Sequence, residues 1–459
     1  MVQERAARTR SLRGTEPHFS DLSEPPGVSP DVSSALAWLA VPGRRAKLLA
    51  VLGVALLAAA AVGALAAPAE PRLAVDDDRP RNNTLVALQG YEHEGKVVEV
   101  TPDGEVVWEY AKADDVFDVE ALGDGRVQVA VADEIPDGKC PDRFRNDGHE
   151  NCVRNSLRIV DRETKETLWE YAWFDAKLHA HELHDADRYT VDGEPRWVLV
   201  DMGNDRVFAV NRSKEVLWQW NATDRYERPE KMGPEGDWTH MNDVDRVGRD
   251  TFRVSLRNFD TVVDLHVERG ASGGNGSVRV DPVVGPDDFH ERGDVLHEQH
   301  NPDTLDNGTL LVADSEHDRV VELNREGDVV WKYGGSAIFD WPRDADRLAN
   351  GHTLVADSYN DRVVEVDEDG EVVWSVETGG LPYEADRLPG EGSDGPTARE
   401  AGIPNRTSDA GVVRERAAWA VSMAKYVGPD RLAEQLFLLA AGLLALVGAG
   451  VERWRSRKR

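Results

Sequence analysis

"DRVVELNREGDVVW" (Asp318–Trp331) and "DRVVEVDEDGEVVW" (Asp361–Trp374) are near copies of one another. In each, apolar and polar residues alternate, a polar turn follows, and a second apolar run ends in Trp. Alternation with period two on both sides of a turn is the signature of a β-hairpin. Earlier copies are "GKVVEVTPDGEVVW" ending at Trp108, "SLRIVDRETKETLW" ending at Trp169 and "DRVFAVNRSKEVLW" ending at Trp218. The interval between Trp218 and Trp331 has room for one more copy. It is expected around "VVDLHVERGASGGNGSVRV", with its Trp lost and its loop swollen by Gly.

A second element recurs beside each hairpin. It reads "DVFDVEALGDGRVQVAV" from Asp115, "ELHDADRYTVDGEPRWVLVD" from Glu182, "HMNDVDRVGRDTFRVSL" from His240 and "HNPDTLDNGTLLVAD" from His300. The last two are "WPRDADRLANGHTLVAD" from Trp341 and "LPYEADRL" from Leu381. The final box lacks a following strand, and "TLVAL" from Thr84 can supply it. Six boxes and six hairpins, four strands to a unit, predict an all-β, six-bladed propeller over residues 84–390. The hairpin Trp residues are expected to pack between blades.

Each box carries an acidic anchor: Asp118, Asp185, Asp243, Asp303, Asp344 and Glu384. An acidic residue in every blade reads as structural, holding a turn through side-chain-to-backbone bonds. The histidines do not recur in every blade. His240 and His300 lie three residues before their anchors, and His181 and His184 lie close to Asp185. Rotation about the axis brings equivalent positions to one rim, so three successive blades place His on one side of a channel mouth. Asp115, Trp341 and Leu381 hold that place in the other blades. Such a cluster can serve as nucleophile, acid–base pair or metal site, or simply fill a wet channel. Arg257 follows the strand after His240 and suits an oxyanion; its alternative is a surface ion pair.

The chain carries 54 Lys+Arg against 85 Asp+Glu, a net charge of −31. That surface is unsuited to nucleic acid, which needs a basic footprint, and it suits solubility in very high salt. Residues 46–67 and 432–451 read as transmembrane helices. Arg44, Arg45 and Lys47 precede the first, and Arg453, Arg455, Arg457, Lys458 and Arg459 follow the second. Both ends are therefore expected in the cytoplasm and the propeller outside the cell membrane. A signal peptide cleaved near Ala66–Ala69 is the rival reading of the first segment. Residues 1–43 read as a disordered cytoplasmic tail, 68–83 as a linker, 391–430 as a linker that can carry a short helix, and 452–459 as a basic tail. Asn-x-Ser/Thr sequons at Asn82, Asn211, Asn221, Asn275, Asn307 and Asn405 fit an outside location. So do the two cysteines, Cys140 and Cys152, as a disulfide; no metal-binding spacing is present.

"DWTHMN" (Asp237–Asn242), "SLR" ending at Arg257, "EQHNPDTLDNG" around His300 and the preceding "HELHD" together resemble the arylsulfotransferase family that works without phosphoadenosyl phosphosulfate. The resemblance implies a six-bladed propeller whose channel binds an aryl sulfate, with no cofactor. It implies His300 as nucleophile, His240 and Asn242 on the sulfuryl oxygens, Arg257 against developing charge, and a histidine of "HELHD" as acid–base group, for which the repeat register favours His184 and leaves His181 possible. A sulfohistidine would pass the sulfuryl group to a phenolic acceptor. Family members carry an amino-terminal β-domain for which this chain has no room. The alternatives are a propeller that only binds a ligand or partner, a quinone-cofactor dehydrogenase and a metal-dependent hydrolase. The cysteines are not adjacent, unlike those usual in quinone enzymes.

Overall fold

A computed structural model describes residues 82–409, apart from 91–93, 137–138, 147–151, 177–180, 229–237, 269–276, 287–292, 294, 306, 390–392 and 394. Every described residue lies in one compact unit. Both expected transmembrane segments, the cytoplasmic tails and the 68–81 part of the first linker lie outside the described residues. Among the described residues no helix is long and apolar enough to cross a membrane.

Among the described residues, six sheets, each with four antiparallel strands and one with a short fifth strand added, form the six blades. Their innermost strands are Asp115–Gly123, Leu183–Val191, Met241–Gly248, His300–Thr304, Pro342–Arg347 and Leu381–Arg387. These are the six boxes, and they belong in that order to blades 2 to 6 and then blade 1. The ring closes as expected: Thr84–Gln89 pairs with Leu381–Arg387, with Thr84 opposite Arg387. Blade 1 thus joins strands from both ends of the propeller. The hairpin without Trp is also in place, as Thr261–Val267 paired with Val278–Val284.

Alternating residues put Val, Ala and Leu on both faces of every inner sheet, where they meet the next blade. Leu85, Ala87, Val97 and Tyr110 of blade 1, for example, pack on Val116, Val119, Val129 and Val131 of blade 2. A fully buried aliphatic side chain of this size contributes about 1.5–3 kcal/mol. The hairpin Trp residues link blades through their indole N–H groups. Trp108 donates to the Arg162 carbonyl, Trp169 to Arg212 and Trp374 to Pro102, each in the following blade.

The acidic anchors do not hold turns as expected. Three of them reach across to the next blade and accept from the free edge of its inner strand. Glu384 accepts from Val119 N (2.9 Å), Asp185 from Val244 N (2.6 Å) and Asp344 from Ala385 N (2.9 Å). Inner strands have an unpaired edge toward the axis, and a carboxylate is the acceptor that satisfies its N–H groups.

The turn between the second and third strands is a second repeated device. It reads Asp201-Met-Gly-Asn-Asp-Arg206, Asp314-Ser-Glu-His-Asp-Arg319 and Asp357-Ser-Tyr-Asn-Asp-Arg362. The first Asp pairs with the Arg at 2.6–2.7 Å in each. The second Asp (205, 318, 361) is left-handed with φ of 49–52° and ends a single 3₁₀ turn. In blade 4 the same turn is Leu256-Arg-Asn-Phe-Asp-Thr261. There the ion pair is lost and Arg257 takes the place of Ser315 and Ser358.

Residues 393 and 395–409, in the stretch expected as a linker that can carry a short helix, pack against blades 5 and 6. Ala398–Ala401 forms one helical turn capped by Thr397, and Arg406–Thr407 adds a parallel strand beside Tyr333–Gly334. Ala398 and Ile403 are buried between blades 5 and 6 with Trp331, Tyr333 and Val355. Cys140 and Cys152 are disulfide-bonded, with Cα atoms 5.9 Å apart.

Candidate functional site

The starts of the inner strands converge on the axis. Tyr383 of blade 1 touches His184 of blade 3 (ring centroids 5.5 Å) and His300 of blade 5 (5.8 Å). No side chain at a blade's periphery could reach two alternate blades. His184 also meets His240 edge-on at 5.1 Å and stacks on Phe117 at 4.5 Å. Trp341 of blade 6 presents its ring to His300 at 5.5 Å. His184, His240 and His300 are therefore one cluster, walled by Phe117, Tyr383 and Trp341.

The turn aspartates of preceding blades hold these strand starts. Asp205 accepts from Thr239 N, Asp260 from Glu298 N and Asp318 from Trp341 N at 2.8–3.0 Å. The backbone so held is strained. His240 (φ 47°), Glu298 (49°), Asn301 (39°) and Trp341 (57°) all lie in the left-handed region. Such conformations cost about 1–3 kcal/mol each and gather where function requires them.

His300 is the most defined of the three. Its Nδ1 lies 2.8 Å from Ser315 Oγ and 3.2 Å from the Glu298 carbonyl. Ser315 spends its own proton on the Pro342 carbonyl at 2.7 Å. Both neighbours of Nδ1 are thus acceptors, so Nδ1 carries the ring proton and Nε2 carries the lone pair. Burial holds its pKa well below the ordinary histidine value, and the charges of Arg257 and Arg343 push the same way. His240 is lowered well below that value too, by burial first and Arg257 second. Both are neutral at neutral pH. His184 sits between Tyr383 Oη, 2.9 Å from its Nδ1, and Glu182 Oε2, 3.4 Å from its Nε2. Burial drives the Tyr383 phenol far above its usual pKa, so it stays protonated.

Arg257 is mostly buried and forms an ion pair with Glu298, while its Nε has no partner. It is neither a surface residue nor a free charge. Asn242 is fully buried, and its amide donates to the Gln299 carbonyl at 2.9 Å. Its amino group is committed to holding the strand start before His300, which leaves only Oδ1 without a partner. His181 is partnered by Asp175. Its Nδ1 lies 2.8 Å from Asp175 Oδ1 and its Cβ presses on the space above Gly203. It precedes the inner strand, outside the repeat register that orients His184. His297 meets His317 edge-on at 5.5 Å.

Arg343, Tyr383, Glu182 and Glu298 were not anticipated. Arg343 lies between Trp341 (5.1 Å) and Tyr383 (4.3 Å), with Nε on Ser358 Oγ at 2.9 Å. That bond repeats the His300–Ser315 bond one blade on. Both Arg343 and Tyr383 directly precede their anchors, as His184 and Asn242 do, so the repeat register could have found them. Among the described residues no group of three or more His, Cys, Asp or Glu is arranged to hold a metal ion.

Residues 271–413 match the PQQ_2 family model, described as outer membrane protein assembly factor BamB. The match covers less than half of the chain. No curated protein matches. Solved structures resembling the chain include a protein of unknown function from Bacteroides caccae (18% identity, TM-score 0.44, 67% of this chain and 98% of that one). Another is the periplasmic gluconolactonase PpgL of Pseudomonas aeruginosa (16%, 0.40, 66% and 98%). A third is an inactive virginiamycin B lyase from Staphylococcus aureus (8%, 0.36, 64% and 84%). Likenesses of this size carry no inference about activity, and the fold rests on the sheet topology itself.

Proposed function

We propose that the chain is a sulfotransferase that moves a sulfuryl group from an aryl sulfate to a phenolic acceptor. The observation that supports this best is His300, neutral, with Nδ1–H held by Ser315 and the Glu298 carbonyl and its lone pair on Nε2. A histidine so prepared is a nucleophile that needs no prior deprotonation. In this reading Nε2 attacks sulfur, the S–O bond to the aryl group breaks, and a sulfohistidine forms. His184, beside the Glu182 carboxyl, gives the phenolate its proton. The acceptor phenol returns a proton to His184 as its oxygen takes the sulfuryl group, so protons balance over the cycle. Arg257 stabilises charge gathering on the sulfuryl oxygens. The acidic surface and expected membrane segments fit an enzyme anchored at the outer face of the cell membrane.

The test is phenol release from a chromogenic aryl sulfate in high salt, with several phenols as acceptors. Wild type is expected to turn over and His300→Ala to be inactive. Absence of turnover by wild type with every acceptor would leave a ligand-binding propeller as the better reading.

A further inference from the structure

We propose that the indole N–H of Trp341 is a hydrogen-bond donor to an oxygen of the group transferred at His300. The inference rests on the reading of this site as one that takes an anionic ester, and it names a contact that reading does not contain.

Four observations support it. Trp341 occupies the same repeat position as His240 and His300, three residues before its anchor, so it belongs to the same rim. Its backbone is left-handed at φ 57°, as His240 is at 47°, and Asp318 clamps its N–H at 3.0 Å. A bulky residue is rarely kept in that conformation without a use. Its ring has four neighbours: Tyr359 stacks on it at 4.5 Å, Arg343 lies 5.1 Å and Arg257 5.9 Å from its centroid, and His300 meets it at 5.5 Å.

Most tellingly, its Nε1 is buried and has no acceptor. The Trp residues that end hairpins in blades 1, 2, 5 and 6 all donate to a carbonyl. Trp173 and Trp197 also lack acceptors, but they sit in the packing between blades 2 and 3, away from the histidines. At the site, Arg257 Nε is a second buried donor without a partner. Two unmet donors on side chains that surround His300 fit one kind of occupant, an oxyanion. A neutral N–H can bond to a sulfuryl oxygen without adding charge to a pocket where a further cation would disfavour Arg257.

Inorganic sulfate is the probe. The full chain, labelled with ¹⁵N at its indoles, is titrated with sulfate at constant potassium chloride concentration. One indole resonance, identified by its absence in Trp341→Phe, is expected to move downfield and saturate. Trp341→Phe keeps the ring and removes the donor; its sulfate Kd is expected to rise about fivefold or more, and its kcat to fall about tenfold or more. A Trp341 resonance that does not move, or a Trp341→Phe protein with wild-type Kd and kcat, overturns the inference. Should sulfate shift Trp341 while no aryl sulfate is turned over, the anion contact stands and the transferase reading fails. Turnover that is normal in Trp341→Phe does the opposite. Circular dichroism of Trp341→Phe separates these outcomes from misfolding, and Trp341→Leu, which also removes the ring, reports the packing contribution.

Discussion

Ser315 is the residue on which the chemistry of His300 turns. It donates to Pro342 and so must accept from His300 Nδ1, which leaves Nε2 as the lone-pair nitrogen. Ser315→Ala removes that acceptor and leaves only the longer bond to the Glu298 carbonyl. It is expected to lower kcat about 10- to 100-fold with little change in KM, the usual cost of losing a group that orients a reactive histidine. Steady-state kinetics with circular dichroism as a folding control checks this. The pH dependence follows from the same residue. With the His300 pKa held well below its ordinary value, the lone pair survives acidification, and the acid limb of kcat/KM lies below about pH 6.5. A limb at or above that pH in a wild-type profile would count against a neutral buried nucleophile. The three histidines were legible because they interrupt a repeat, a residue absent from most blades needing a reason other than the blade, and Arg257 stood out by following the strand after His240. The repeat register favoured His184, directly before Asp185, and left His181 possible because it too lies near that anchor. Glu298 was hidden because its partnership with Arg257 joins two blades through left-handed backbone that no local pattern announces.

At the scale of elements, the hairpins and boxes were readable from period-two alternation, and even the copy without Trp fell where it was expected. The 393–409 strap was not readable. Its sequence, rich in Gly, Pro and charge, is that of a linker, and it is ordered only by contacts distant in sequence. Trp331 donates to the Pro404 carbonyl, and Glu322 accepts from Ala398 N at 2.6 Å. Glu322 also forms a buried ion pair with Arg347 at 3.0 Å, both almost wholly excluded from solvent. Burial is the largest influence on each partner, raising the pKa of Glu322 and lowering that of Arg347, so desolvation exceeds their attraction. Such a pair adds little net stability while intact, yet losing one member strands the other. Glu322→Gln is therefore expected to destabilise by about 3–5 kcal/mol, read from urea unfolding. The double variant Glu322→Leu with Arg347→Met is expected to recover most of that loss. A Glu322→Gln protein of wild-type stability would show that the strap does not depend on this pair.

Across the whole molecule, the axis carries a ring of carboxyl groups. Asp118, Asp185, Asp243, Asp303, Asp344 and Glu384 form one tier, and Asp187, Asp245 and Asp346 lie two residues further along their strands. Burial raises the pKa of every one, with mutual repulsion adding to it for most; Asp185 and Asp344 reach about 7. Asp118 and Glu384 hydrogen-bond each other through their side chains, as do Asp303 and Asp346. A carboxyl whose pKa is raised on folding binds a proton more tightly in the folded state, so stability falls as pH rises from the unfolded value toward and through the folded one. His240 and His300 act in the opposite sense below about pH 6.5, where the unfolded chain protonates first. The carboxyls outnumber them, and the melting temperature is expected to fall between about pH 5 and pH 8 at constant high salt. Asp185→Asn, by removing one of the groups that titrates near 7, should flatten that decline. A melting temperature that rises over the same range would mean the ring is ionised in the folded protein.

The sulfohistidine is the point on which the functional account depends. Brief incubation of the full chain with an aryl sulfate and no acceptor, followed by acid-free digestion and peptide mass spectrometry, tests it directly. The account predicts one added SO₃ on the peptide containing His300, absent from His300→Ala and discharged when a phenol is supplied. Turnover without any such adduct, or an adduct on His240 or His184 in place of His300, would contradict it.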